Sequence, residues 1–280
     1  MVATPDTGER WLLKYVTDNR NADGSEYPKG DDWSERVANG AALRLGIPAA
    51  RTELAFEHLS ETRFGVISGS VLAPHDNGGR ANEELVPGNE LLPQPVIGGD
   101  RLAYTVDAVQ QALDDVGPPS EATQGFTAWE VFVGYLLLDA VIGNTDRHEE
   151  NWAVIASSTD RRLASTFDHA SSLGFLLADE RRRQHLATTD QAFTPESYAD
   201  RAKSKFAGKP HPVDVATEAL ARCGPAVSGY WLNRCSEVDN LVEPIWLVPQ
   251  HRMSETARQF AEKVLRRNCA RLLEGFARFV

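Results

Sequence analysis

Apolar positions along the chain follow two periods. Over Arg10–Val16, "RWLLKYV", they alternate, with Trp11, Leu13 and Tyr15 on one face and Leu12, Lys14 and Val16 on the other, which predicts a strand. The next stretch, residues 19–32 ("NRNADGSEYPKGDD"), is polar and rich in turn formers and predicts a loop. Trp33, Val37, Ala41 and Leu45 then recur every four residues, the stripe of a helix capped by Asp31 or Asp32 and ended by Gly46, Ile47 and Pro48. "RTELAFE" and "FGVISGSVL" read as two further strands.

Proline and glycine collect between Ala73 and Asp100, which predicts a hinge between an N-terminal lobe, residues 1–100, and a C-terminal lobe, residues 101–280. Leu102, Val106, Val109, Leu113 and Val116 restore helical spacing. "AWEVFVGYLLLDAVIG" is apolar almost all round and predicts a buried central helix. "NWAVIA" and "RLASTFD", joined by "SSTDR", predict a hairpin. A long polar segment follows from His169 to about Val213. The chain closes on a helix with the stripe Phe260, Val264, Leu265, Leu272, Phe276 and Phe279, for which Ser254 is the expected N-cap. The pattern is α+β: a small strand-rich lobe, a hinge, and a larger helical lobe.

Composition narrows the function classes. A net charge of −11 and a pI of about 5.1 weigh against direct nucleic-acid binding and against anionic membrane surfaces. Cys223, Cys235 and Cys269 are odd in number and widely spaced, so neither a disulfide framework nor a zinc site is expected, and a reducing cytoplasmic setting fits. The first ten residues carry no basic start or apolar h-region, so no signal peptide is read. The longest apolar stretch, Trp129–Ile142, is too short to span a bilayer and contains Glu130 and Asp139.

The chemistry concentrates in "VIGNTDRHEENWAVI", residues 141–155, where eight polar side chains, Asn144 to Asn151, stand between two apolar runs. Asp146 and Asn151 are five positions apart, and Asp168 closes the hairpin seventeen positions later. Phosphoryl transfer needs a carboxylate to orient or deprotonate a hydroxyl, a task for Asp146. It also needs hard oxygen ligands for Mg²⁺, which the Asn151 amide and the Asp168 carboxylate supply. A D-x-x-x-x-N spacing by itself is common in solvated turns; the helix, loop and hairpin around it make the case. Lys14 adds to it, since a lysine within an apolar strand calls for a partner, and Glu35 on the next helix is the expected one. The bland reading of that pair is an edge-strand lysine and a solvated first-turn glutamate. His148 and His169 flank the proposed site and read as structural rather than metal-binding, His148 as a residue that orients the loop by hydrogen bonds, and Arg147 as one that does likewise or pairs with a phosphorylated side chain.

"IGNTDRHEENWAVI" followed by "LASTFDHASSLGF" resembles the core of the HipA-like serine/threonine kinases and the related phosphatidylinositol 3/4-kinase branch of the kinase superfamily. "SERVANGAALRLGIPAARTEL" resembles that family's helix, with a Glu, small residues and a Gly-Ile break before a strand. The resemblance covers roughly residues 10–200. It implies a bilobal protein-kinase-like fold, ATP and Mg²⁺ as cofactors, and a protein serine or threonine as acceptor. It places Asp146 as the catalytic aspartate, Asn151 and Asp168 as Mg²⁺ ligands, and Lys14 with Glu35 as the phosphate-binding pair. It also implies a toxin–antitoxin context, with a small partner protein. Rival readings are a phosphoinositide-type lipid or small-molecule kinase, and a pseudokinase or binding module without turnover.

The sequence departs from the family before the lysine strand, where only "MVATPDTGE" stands and no G-x-G-x-x-G is found. Two expectations follow. Either a separate small protein completes the N-terminal lobe on an open edge of "RWLLKYV", or "PDTGER" turns a hairpin and the polar loop 19–32 folds over the phosphates. The segment 178–209 holds Arg181, Arg182, Arg183, Lys203, Lys205 and Lys209; a solvated charged face is the expectation there, and a dock for an acidic or phosphorylated partner its rival. Thr188, Thr189, Thr194 and Ser197 are its candidate phosphorylation sites.

Overall fold

The computed structural model describes residues 2–3 (backbone only), 9–21, 23–58, 62–72, 83–92, 101–122 and 125–276. The N-terminal part runs β1 (Val2–Ala3), β2 (Arg10–Tyr15), β3 (Asp18–Arg20), β4 (Glu26–Pro28), α1 (Asp31–Leu45), β5 (Thr52–His58) and β6 (Thr62–Gly69). Four of these strands form an antiparallel sheet of order β1-β2-β6-β5. Lys14 lies opposite Val66 and Tyr15 opposite Gly65 in that register. A Cβ at position 65 would stand 2.4 Å from the Lys14 carbonyl oxygen, so only glycine lets β6 approach β2 this closely.

Three expectations are corrected here. β1 pairs with β2 at Trp11 and Arg10, so that end of "RWLLKYV" is not an open edge. Residues 4–8, where the phosphate-covering segment would fall, lie outside the described residues. Residues 19–32 are not a plain loop, because β3 and β4 pair as a hairpin. Tyr27 Oη of that hairpin donates to the Leu176 carbonyl at 2.7 Å, so it docks on the C-terminal lobe. The helix α1 starts at Asp31 with Gly30 as its N-cap, and neither Asp31 nor Asp32 caps it. Asp32 instead meets the buried Arg252 guanidinium at 2.5 Å. Arg252 also donates to the carbonyls of Ala55 and Gly65, so one side chain ties α1, the sheet and the segment before the last helix together. The α1 stripe is as expected: Trp33, Val37, Ala41 and Leu45 are all buried.

The C-terminal part runs β7 (Glu84–Pro87), α2 (Gly88–Leu91), α3 (Val106–Ala112), α4 (Ala128–Ile142), β8 (Ala153–Ala156), β9 (Arg161–Leu163), α5 (Asp179–Ala187), α6 (Pro195–Ala199), α7 (Pro212–Ala221), α8 (Pro225–Ser236), α9 (Val238–Leu247) and α10 (Glu255–Phe276). β7 pairs with β8, and β8 with β9, in a second antiparallel sheet. Thus β7, on the N-terminal side of residue 100, joins the hairpin of the C-terminal lobe. The hinge expected over 73–100 falls largely on residues 73–82 and 93–100, outside the described residues.

α4 is the buried centre. Every residue of it except Glu130 is buried, and Glu130 closes a capping box with Thr127. Each buried Leu, Val or Phe there contributes about 1.5–3 kcal/mol. α3 is shorter than its periodicity predicts, because the Thr105 side chain caps it by accepting from the Ala108 N–H, and Leu102 is left 78% exposed. Ser254 Oγ accepts from the Ala257 N–H and caps α10 as expected. The three cysteines are free thiols, Cys235 and Cys269 buried. Among the described residues, no helix is long and apolar enough to cross a membrane.

Candidate active site

α4 ends at Gly143, whose φ of 63° lets the chain turn sharply into the loop that carries Asp146. Asn144 holds the turn: its Nδ2 donates to Asp139 at 2.8 Å and its Oδ1 accepts the Asp146 N–H at 3.0 Å. The Asp146 carbonyl accepts from the His148 N–H at 2.7 Å and from Asn151 Nδ2 at 2.7 Å. The Asn151 amide is thereby oriented, with its oxygen left for another partner.

Arg147 does not face a ligand. It is 2% exposed, and its guanidinium grips Asp139 of α4 through Nε at 2.7 Å and Nη2 at 3.0 Å. It also donates to the Asn151 and Phe167 carbonyls and to Thr166 Oγ1. Burial works against the guanidinium charge, but the Asp139 carboxylate outweighs it, and the Arg147 pKa is held above its ordinary value. One side chain thus pins the loop to the central helix and to the segment after β9 that leads to Asp168. This orienting role was one of two expected for Arg147; the other, pairing with a phosphorylated residue, is excluded by its burial and its full set of partners. His148 accepts the Glu150 N–H on Nδ1 at 3.2 Å, a bond internal to the loop.

Asp168 sits at φ 60°, in the left-handed region that a non-glycine residue enters only when its surroundings impose it. Its Oδ1 lies 2.7 Å from Lys14 Nζ, 154 positions away in sequence. Lys14, Asp168 and Asn151 line one cavity of about 370 Å³ with the apolar side chains Leu12, Val66, Val71, Leu72, Leu85 and Phe167. Among the described residues of the 19–32 segment, none lines it.

The expected pairing of Lys14 with Glu35 is corrected. Glu35 also lines this cavity, but its carboxylate is spent on His169, accepting the backbone N–H at 2.6 Å and meeting Nδ1 at 3.2 Å. The physical reason is burial. Glu35 is 4% exposed on the inner face of α1, where the His169 N–H would otherwise go unpaired. Lys14 stands nearer the open side and takes Asp168. His169 bonds Thr166 Oγ1 through Nε2 at 2.9 Å, so both ring nitrogens are committed. Among the described residues no group of three or more His, Cys, Asp or Glu is placed to hold a metal. Glu150 also lines the cavity; the two oxygen donors that the sequence singled out there are those of Asn151 and Asp168.

Those oxygens fit Mg²⁺ carried by a nucleotide, because both are hard donors lining one cavity beside a cation. The cavity pairs that polar end with an apolar wall, as a nucleotide requires. Sequence reasoning did not anticipate Asp139, whose role shows only when α4 and the loop are folded together. Nor did it single out Lys205, whose Nζ stands 3.2 Å from Asp146 Oδ1 across 59 positions of sequence. The six cations singled out in the 178–209 segment, which also holds Arg201, separate. Arg182 is buried, bonded to Asp179 and the Gly174 carbonyl; Arg181 and Arg183 face Phe193 and Glu180; the three lysines line one further cavity, and of them Lys205 meets Asp146.

The fold is of the bilobal kinase-like class, a small sheet lobe with a mostly helical lobe. Among solved structures the chain is similar to the Helicobacter pylori proinflammatory kinase CtkA, at a TM-score of 0.68 and 19% identity over 97% of this chain and 91% of that one. It is also similar to HipA of Shewanella oneidensis MR-1, solved with HipB and its operator DNA, at a TM-score of 0.57 and 10% identity over 94% of this chain and 66% of that one. The resemblance read from "IGNTDRHEENWAVI" therefore extends to the fold of nearly the whole chain. No protein-family model matches the sequence, and no curated protein matches it.

Proposed function

We propose that this chain transfers the γ-phosphoryl group of ATP to a hydroxyl, and that the acceptor is a serine or threonine of a protein. The observation that carries the reading is the meeting of Lys14 and Asp168 at 2.7 Å in a cavity that Asn151 shares. The two lobes contribute one member each, as a nucleotide clamp requires. The kinase-like neighbours support phosphotransfer in general.

Lys14 would hold phosphate oxygens, and Asn151 and Asp168 would hold the magnesium ion. That ion, when bound, neutralises charge on the phosphates. Asp146 accepts the proton of the acceptor hydroxyl. The hydroxyl oxygen bonds to the γ-phosphorus as the bond to the β–γ bridging oxygen breaks, and ADP leaves with that electron pair. Glu35 holds His169, the residue after Asp168, by its backbone N–H and ring Nδ1, and serves as a positioning residue. The HipB in the second neighbour's complex supports a small protein partner for this chain, and no membrane partner is proposed.

Incubation with Mg²⁺ and γ-labelled ATP, with lysate protein and with lipid vesicles in separate reactions, tests the proposal. Label on serine or threonine of a protein is expected. Label only in lipid would replace the acceptor class, and no label in any arm, with nucleotide still bound, would leave a binding module.

A further inference from the structure

A second cavity, of about 500 Å³, lies on the other flank of the Asp146 loop, lined by Thr145 of that loop and by Ser171. Arg201, Lys203, Lys205 and Lys209 also line it, and among the described residues no aspartate or glutamate does. That is a local inversion of charge in a chain with 40 acidic and 29 basic residues. The backbone builds the cluster. Ser204 N–H bonds the Pro210 carbonyl and Lys209 N–H the Phe206 carbonyl, and Lys209 is held at φ 53°. Strain of that kind persists only where the surroundings enforce it. Lys205 reaches Asp146, while Lys203 and Lys209 are exposed and have no ion pair or side-chain hydrogen bond among the described residues.

One deeper residue points the same way. Ser204 lines the cavity at 6% exposure, and its Oγ is a buried hydroxyl without a hydrogen-bond partner that can donate to an anion. Asn268 also lines the cavity, but its Nδ2 is spent on the Val141 carbonyl and its Oδ1 only accepts, so it adds nothing to the case. Buried polar groups are rarely left unpaired, and here a hydroxyl donor stands beside exposed cations.

We infer that this cavity receives an anionic group, a phosphate or a carboxylate, borne by the acceptor peptide beside the hydroxyl that is phosphorylated. The inference rests on the phosphotransferase reading for its link to Asp146. Lys205 supplies that link, since it lines the cavity and touches Asp146, so a bound anion draws the neighbouring hydroxyl toward the carboxylate that accepts its proton. A peptide is favoured over a lipid headgroup because the net charge of −11 opposes approach to an anionic bilayer, while a single acidic side chain on a flexible peptide meets only the local cations.

The test measures binding, so its failure is separable from failure of the proposed function. The intact chain is first saturated with Mg²⁺ and a non-hydrolysable ATP analogue, which closes the first cavity to anions. Fluorescent serine-centred peptide pools are then titrated in, each with phosphoserine at one fixed position, against matched pools with asparagine there. At least one phosphoserine pool is expected to bind about tenfold more tightly than its match, with the preference shrinking as salt is raised. The double variant Lys203→Gln/Lys209→Gln, exposed at both positions, is expected to unfold at the same temperature and to lose the preference. Equal binding of every matched pair, or a preference that survives in the double variant, would overturn the inference. So would binding to phosphoinositide vesicles without binding to any phosphoserine pool. Absence of phosphate transfer with the binding preference intact would instead count against the proposed function.

Discussion

Two ion pairs hold this site, and they are opposites. Arg147 and Asp139 are 2% and 4% exposed and meet through two nitrogens; Lys14 and Asp168 are 42% and 37% exposed and meet through one. The first pair is sealed, so its charges serve the fold alone. The second is open, so its charges stay available to a ligand. The sequence sets Asp146 and Arg147 side by side, yet the arginine is sealed against Asp139 and the aspartate's carboxylate is turned outward to Lys205.

The sharpest way to break this comparison is to remove the sealed arginine. Arg147→Ala leaves Asp139 as an unpaired buried carboxylate and frees the Asn151 and Phe167 carbonyls. A loss of about 3–5 kcal/mol of stability is expected, read as a fall in the urea midpoint. A loss under about 1 kcal/mol, the worth of an exposed pair, would put Arg147 in the open class.

Asp146→Asn should do the reverse. Its carboxylate faces Lys205, not the core, so stability should stay within about 0.5 kcal/mol of the parent. Turnover should fall by about 10²–10⁴-fold with nucleotide affinity unchanged, because a general base acts on the chemical step. Single-turnover kinetics beside calorimetry with Mg-ATP separates the two. Unchanged turnover would remove Asp146 from the mechanism.

The open pair itself should show a smaller, divided effect. Lys14→Met should cost less than about 1 kcal/mol of stability, since an exposed ion pair is screened by solvent. It should weaken Mg-ATP binding by about 1.5–3 kcal/mol, the worth of a hydrogen bond to a charged group. Asp168→Ala should weaken binding only when Mg²⁺ is present. If Lys14→Met unfolded as readily as Arg147→Ala, the contrast between the pairs would collapse.

The same contrast explains what could be read from the sequence. That Asn151 and Asp168 would share one cavity could be read from the sequence because they are local: one loop and one hairpin carry them, and the apolar runs on either side mark the loop. Asp146 does not line that cavity and is joined to Asn151 through its carbonyl. The α4 burial and the α1 stripe were legible for the same reason of period. Partnerships over long separations were not. Lys14 was recognised as a strand lysine needing a partner, but the choice of Asp168 over Glu35 depends on which side of α1 is buried against His169. Lys205 was counted among six cations, and only the turn from Ser204 to Pro210 sets it apart from Arg181 and Arg183. Asp32 has the right chemistry for a helix cap, and a buried arginine 220 positions away claimed it instead.

A third kind of buried polar group gives the smallest prediction. His211 is 7% exposed and carries no ionic partner of the Arg147 kind; it serves the fold as a neutral ring. Its Nδ1 accepts the Val213 N–H at 3.0 Å and caps α7, and its Nε2–H donates to the Ala199 carbonyl at 2.8 Å. Burial disfavours the charged ring and depresses its pKa below the ordinary value. The unfolded chain then takes up a proton near pH 6.5 while the folded chain does not. Stability attributable to His211 is therefore complete above that pH. It declines as pH falls from there toward the lower folded-state pKa, and levels off below it. Protonation of Nδ1 also turns the cap acceptor into a donor. Removing the cap with His211→Ala should cost about 1 kcal/mol at neutral pH and should flatten the pH dependence relative to the parent. Urea midpoints of both proteins across pH 5 to 8 give the comparison. His185 is depressed in the same direction by burial and is present in both, so only the difference between the two curves reports on His211. Parallel curves would mean that the ring titrates alike in the folded and unfolded chains, and that its burial has no consequence for folding.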